Sequence, residues 1–319
     1  INEIIGINRP GYSLSLIQKS WLSFCIMAIF ITNSVCWAKF ERAGLGQYSV
    51  AALSWMFRNS KIPWEFLLTA GVGFILKRFG ITEGSLGIDD TDRKRSKKTK
   101  RISRVHKLKD KVSNGFVMGQ CIVFLVLVTP KITIPVGFSF YMPDPKLTEW
   151  NRRKKAMKKA GIPQKQHPRK PPKNKDYPTK QEISLNLLKQ FGDNVPEVRI
   201  RCILADALYC SGKFMDTASS YFGGVQVISQ LKKDQNVVFR NMKISVSEYF
   251  AKYSGVPQKI RIRGGDKIIV VMGSARLRVF SHGKKRFVIA LKYEGEDDYR
   301  YIVASDMSWR TRDIAEAYT

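Results

Sequence analysis

Three aspartates, placed after two apolar runs, are the residues whose types and spacing could do chemistry. Leu86-Gly87-Ile88-Asp89-Asp90-Thr91 stops a short apolar stretch on two carboxylates. Val198-Arg199-Ile200-Arg201-Cys202-Ile203-Leu204-Ala205-Asp206 alternates, turns fully apolar and ends on a third. Both runs read as strands. As neighbours in one sheet, they would bring Asp90 and Asp206 close together at its edge. Carboxylates clustered beside a phosphodiester are the donor set for two divalent cations, one activating the attacking oxygen and one stabilising the leaving oxygen. Mg²⁺ suits this, since it takes oxygen ligands and retains waters, with Mn²⁺ as a substitute. Either aspartate alone carries little, because Asp at a strand end also serves turns and helix caps.

The surrounding charge gives the pair its weight. Lys and Arg number 55 against 26 Asp and Glu, a formal net charge of +29 on 319 residues. Such an excess destabilises a compact chain by self-repulsion and calls for a polyanionic partner, nucleic acid ahead of anionic membrane. From Arg93 to Val112 there are 11 Lys or Arg. Within that run Lys97, Lys98, Lys100, Arg101 and Lys107 are placed to hold phosphates flanking a scissile bond. The cysteines (Cys25, Cys36, Cys121, Cys202, Cys210) and histidines (His106, His167, His282) show no metal-ligand spacing, and an odd thiol count argues against a disulfide framework.

These residues need elements to position them. Residues 15–80 show apolar positions at helical spacing, which predicts an N-terminal helical unit over 1–83. Within it, Trp21 to Phe40 reads as a buried helix, with a membrane or signal-like helix as the alternative. Ile26, Ile29, Phe30 and Val35 supply its apolar face. Phe116–Val128 and Pro135–Tyr141 read as strands, Gln181–Phe191 as a helix, Ser211–Tyr221 as a helix and Gly224–Leu231 as a strand. Residues 151–180 hold 12 Lys or Arg, five Pro and one acid, Asp176, which predicts a mobile loop, either a DNA-gripping arm or a tolerated basic segment. Nearly every segment of 236–305 is strand-like, and 306–319 starts a helix with Asp306 or Ser308 as N-cap. The expected architecture is α/β: a core over 84–235, a β-rich insertion over 236–305, and a helix returning to the core.

The stretches GIDDTDRKRSKKTK, HKLKDK, GFVMGQCIVFLVLV and PVGFSFY, then ILADALYCSGKFM, then KYEGEDDYRYIVASDMSWRTRDIAEAYT, resemble insertion-sequence transposases of the DDE superfamily. The resemblance covers most of 84–319 and reaches the first 80 residues only loosely. It implies an RNase H-like mixed sheet with helices and a β-rich insertion between the second and third carboxylates. It also implies Asp90 and Asp206 as catalytic metal ligands, with Asp89 a structural neighbour or fallback. The third carboxylate of such enzymes is a Glu in a run Tyr-x-x-Arg-x-x-x-Glu. Tyr318 matches the Tyr and is read as a DNA contact, so the Glu is expected beyond Thr319; Glu316, Glu294 and Glu296 are poor substitutes.

The function that follows is cutting and joining of DNA at transposon ends, by a homo-oligomer without a small-molecule substrate, in a bacterial-type cytoplasm at the nucleoid. The chain as given is expected to cleave little or not at all. Two other readings remain: a non-catalytic DNA-binding remnant of a decayed element, and a basic membrane-associated protein anchored by 21–40. The latter leaves the aspartate-bearing strands unexplained. Arg261, Arg263, Arg276, Arg278, Lys284, Lys285 and Arg286 add positive charge to the insertion, and Trp309 is either a core residue or a base-stacking one.

Overall fold

The structure is a computed structural model that describes residues 14–95, 102–110, 112–261 and 268–319. The expected phosphate contacts Lys97, Lys98, Lys100 and Arg101, and the insertion residue Arg263, lie outside the described residues. The chain divides into two compact units, Ile1–Ile81 and Thr82–Thr319.

The first unit holds four helices among its described residues: α1 (Leu16–Thr32), α2 (Trp37–Ala43), α3 (Val50–Asn59) and α4 (Trp64–Phe79). Ser15 and Gln18 close a capping box that starts α1. The polar Thr32-Asn33-Ser34 step ends it, with Asn33 left-handed at φ 45°. The stretch 21–40 is therefore two helices meeting at 91°, and no single described helix is long and apolar enough to cross a membrane. The buried stripe of α1 is Trp21, Leu22, Cys25 and Ala28. Ile26, Ile29, Phe30 and Val35, expected to form the buried face, are exposed instead. The core chose Trp21, whose ring lies against Trp37, Phe57 and Trp64 at 6.1–6.4 Å between centroids; so large an apolar surface outweighs several aliphatic ones.

Among its described residues the second unit is mixed α/β, built on one twelve-stranded sheet. Its first strands are β1 (Glu83–Lys94), β2 (His106–Lys109), β3 (Phe116–Val128) and β4 (Thr133–Tyr141), joined antiparallel with β3 between β1 and β4. Helix α5 (Pro145–Lys159) and helix α6 (Lys180–Asn194) follow, then β5 (Arg199–Ala205) parallel to β1. Helix α7 (Gly212–Ser220) leads to β6 (Gln226–Leu231), parallel to β5.

The block 236–304 extends this same sheet. It comprises β7 (Asn236–Phe239), β8 (Met242–Ser245), helix α8 (Val246–Lys252), β9 (Gln258–Arg261), β10 (Ile268–Val279), β11 (Lys284–Tyr293) and β12 (Arg300–Ala304). Because β12 returns to pair with β6, the strand order is β2-β3-β1-β5-β6-β12-β11-β10-β7-β8, with β4 on β3 and β9 on β10. The run expected as strand through Tyr249 bends into α8 because Ser245 and Glu248 form a capping box. The last helix, α9, spans Thr311–Tyr318 with Arg310 as its N-cap. Asp306 instead holds Ser308 in a turn, its Oδ1 accepting from the Ser308 amide at 2.8 Å.

The two faces of the sheet bury different helices. A Cβ on Gly137 of β4 would lie 3.3 Å from Leu187 of α6, so α6 covers the face that carries Gly137, its partner Leu125 and, in turn, Ile88. Ile314 and Ala315 of α9 pack with Ile228, Ile302, Ala304 and Leu204 on the opposite face.

Candidate functional site

The three sequence-predicted carboxylates sit where strand pairing puts them, and the register separates two that are adjacent in the chain. Strand β1 does not stop at the aspartates; pairing with β3 carries it on to Lys94, so Asp89 and Asp90 lie within the strand. Successive side chains of a strand point to opposite faces. Ile88 pairs with Ala205, the last residue of β5, and Asp206 follows in extended conformation (φ -68°, ψ 170°). Asp89 and Asp206 therefore share the face of Leu204 and α9. Asp90 shares the other face with Ile88 and α6. The expectation of an Asp90–Asp206 pair is met in strand adjacency and not in facing.

Asp90 is engaged on its own side. Its Oδ2 accepts from Lys180 Nζ at 2.6 Å, at the first residue of α6, and from Cys121 Sγ at 3.6 Å. Asp90, Asp92 and Cys121 bring donor atoms within 4.8 Å of one another. The Lys180 ammonium already stands among them, beside the Tyr141 ring at 5.4 Å from its centroid. Burial works against that ammonium, but hydrogen bonds to Asp90 and Cys121 prevail and hold its pKa above the usual lysine value. Burial pushes the Cys121 thiol up to about 12, and the wholly buried Tyr209 phenol likewise up to about 12. These groups are protonated at neutral pH, so the cluster is a lysine ion pair in an apolar setting.

On the opposite face Asp89 and Asp206 are exposed. Asp206 also does the ordinary work of a cap, its Oδ1 accepting from the Ala207 amide at 2.5 Å, while Ser229 Oγ donates to its carbonyl at 2.9 Å. Tyr318 lies close enough for the Asp206 charge to help burial raise its phenol pKa. The Tyr318 hydroxyl donates to Gln230 Oε1 at 3.3 Å, and its ring packs against the α9 core cluster rather than standing free. Trp309 packs against the same cluster. Glu316 is held by Arg312 at 2.7 Å, Glu294 by Lys259 at 2.6 Å and Glu296 by Arg300 at 3.1 Å. Among the described residues no other carboxylate on α9 is free to join the pair.

Positive charge gathers on this same face. Lys107, paired with Met118, lies on the Phe124 side of the sheet with Asp89, its ammonium 4.3 Å from the Phe116 ring centroid. In the insertion, Arg278 pairs with Lys285 on one side and Val238 on the other, and Val238 pairs with Lys243. These three cations form one cross-strand row on the face of Ile289 and α9. Arg276 joins them, donating to the Met307 carbonyl at 3.1 Å. Arg286 is only 2 % exposed and turns the other way, to Asp216 at 2.7 Å, with Lys284 on the same carboxylate at 2.6 Å. Of the insertion cations picked from sequence, then, Lys284 and Arg286 are tied to Asp216, whereas Arg276, Arg278 and Lys285 lie exposed on the α9 face.

The role of Lys180 could not be read from sequence, since its partner is 90 residues away. That Asp89, and not Asp90, shares a face with Asp206 follows only from the β1–β5 register. The chain matches no known protein-family profile, and no characterised protein matches it.

Proposed function

We propose that the second unit is the core of a DDE-type DNA transposase, an RNase H-like fold whose metal-binding carboxylates are Asp89 and Asp206. The observation that carries this is the β1–β5 register, which puts two solvent-open carboxylates side by side on one face of adjacent central strands. The order β4-β3-β1-β5-β6, an antiparallel meander followed by two parallel strands, suits an RNase H-like core. The outward cations on that face suit a phosphodiester substrate.

The donor set fits Mg²⁺ or Mn²⁺: oxygen ligands only, exposed, with room for waters. When bound, such ions lower the pKa of an attacking water or 3′-hydroxyl and neutralise charge on the leaving oxygen. The chain's own part is to hold Asp89 and Asp206 on stiff, paired backbone and to grip phosphates with Lys107 and the insertion row. Asp90, neutralised by Lys180, fixes β1 from behind.

Mn²⁺ titration of the full chain, with free ion read by electron paramagnetic resonance, tests this. Asp206→Asn and Asp89→Asn are each expected to weaken binding at least tenfold, the smallest loss seen when even an outer-shell partner is removed. Asp90→Asn should leave it within about twofold on the same scale. Affinity indifferent to Asp206→Asn would sink the proposal. A second reading, DNA binding without chemistry, is favoured by the cations beside Asp89 and Asp206, which would grip phosphates with or without a metal. Under that second reading strand cleavage is undetectable even with Mn²⁺.

A further inference from the structure

The segment expected to be a mobile loop opens as a helix and continues as a basic arm, and its helix is built as no core helix is. Asp144 caps α5, its Oδ1 accepting from the Lys146 amide at 2.8 Å, with Pro145 opening the first turn. Not one residue of α5 is buried. At 100° per residue, Lys146, Arg152 and Arg153, with Lys154, Lys155, Lys158 and Lys159, are spread around the whole circumference. Glu149, the one acid on the helix, is held by both Arg152 and Arg153 at 2.8 Å. The return segment folds along the helix: Trp150 Nε1 donates to the Pro168 carbonyl at 2.7 Å, and His167 Nε2 lies 3.0 Å from the Ile162 carbonyl. Between Pro145 and Thr179 there are twelve Lys or Arg against two acids, Glu149 and Asp176.

A helix with no buried residue gains little from packing, and α5 has only a half-buried strip at Leu147, Trp150 and Met157. Like charges four apart, as at Lys154 and Lys158 or Lys155 and Lys159, destabilise it further. Its intramolecular contacts do not account for such a composition, whereas a polyanion surrounding it would. We propose that α5 is a duplex-DNA-binding element that lies in the major groove, where phosphates flank a helix on both sides. That groove is about 12 Å wide and admits an α-helix. A membrane surface fits less well, because a helix lying in it needs one apolar face and cations on the other, and α5 has cations on every side. The arm returns to the core at Lys180, the residue that pairs with Asp90, so it is rooted at the strand that carries Asp89. The inference rests on DNA as the substrate, yet it is read by binding alone and needs no metal.

The test is fluorescence anisotropy of a labelled mixed-sequence duplex with the full chain over a range of salt concentrations. The variant combines Lys154→Gln, Lys155→Gln, Lys158→Gln and Lys159→Gln. With four phosphate contacts gone, the slope of log affinity against log salt should become shallower by about 3 to 4. Thermal melting should not fall, as none of the four is buried and losing like charges relieves repulsion. A matched variant neutralising the exposed Lys213, Lys232, Lys233 and Lys252 should change the slope by less than about 1 on the same scale. An equal loss in both variants would overturn the arm in favour of a general field. Binding to phosphatidylserine vesicles but not to the duplex would overturn it in favour of a membrane. Failure of the metal proposal alone would show as unchanged Mn²⁺ affinity in Asp206→Asn while the arm effect persists.

Discussion

At the scale of single residues, the pairing of Asp90 with Lys180 decides what each can do. Their side chains are 20 % and 23 % exposed. Removing one partner strands the other, while removing both leaves an apolar contact with Cys121 and Tyr141. Lys180→Met is therefore expected to destabilise the chain by about 1–3 kcal/mol. Adding Asp90→Asn to it should recover part of that loss, read as a coupling in a double-mutant cycle of urea unfolding. Strictly additive losses would mean that the pair contributes nothing as a pair. The sequence offered Asp90 as a metal ligand and gave no sign of its pairing with Lys180, 90 residues away. Which way Asp90 points was not legible either, because adjacent residues of a strand differ by a face and only the Ile88–Ala205 pairing fixes which.

At the scale of elements, apolar spacing announced where helices and strands lie but not where they begin and end. The helix expected over Gln181–Phe191 is α6, whose start the Thr179–Glu182 capping box sets at Lys180, and the run expected as strand through Tyr249 turns helical at the Ser245–Glu248 box. The sequence misled where a distant partner decides, as β1 runs on past its carboxylates because β3 pairs with it, and it marked the basic arm as a loop although Asp144 caps a helix there. The tie between β11 and α7 is of that distant kind. His282 Nε2 lies 3.2 Å from the Cys210 carbonyl, and Nδ1 lies 3.4 Å from Arg286 Nε, a geometry that fits a neutral ring donating from Nε2 and accepting at Nδ1. Burial lowers the ring's pKa, and Arg286 and Lys284 lower it further against the opposing pull of the Cys210 carbonyl and Asp216. The folded value thus lies below the ordinary 6.5. Between the two values the unfolded chain binds the extra proton, so this group's stabilisation is full above about pH 7 and declines as pH falls through 6.5 toward the folded value. Asp216 is also held low, because Lys284 and Arg286 outweigh its burial, so its own loss comes in a separate, more acid window. Urea unfolding between about pH 7 and 5 should show stability falling, and His282→Gln should flatten that slope. A slope unchanged in the variant would place the titrating group elsewhere.

At the scale of the whole molecule, charge and architecture pull against each other. The single sheet from β2 to β8 makes the strands around Asp89 and the insertion row one continuous surface, and the clustering of cations on it is what a polyanion would meet. Without that polyanion the net +29 repels itself. Exposed ion pairs such as Arg152–Glu149 offset little of this, since each contributes at most about 1 kcal/mol and is screened by salt. Added salt therefore acts with two signs, weakening these pairs and relieving the general repulsion, whose range shrinks to about 8 Å at physiological ionic strength. With 55 cations set against 26 acids the second effect is the larger. The melting temperature should rise with NaCl, by about 2–4 °C for each kcal/mol of repulsion relieved in a chain of this size. Heparin at low salt should raise it more, because a polyanion binds the folded surface as well as screening it. The arm variant carrying four Lys→Gln changes should respond less to both. A melting temperature that falls with NaCl would mean that specific ion pairs, not self-repulsion, govern the stability of the chain, and the case for a surface held in readiness for a polyanion would lose its energetic half.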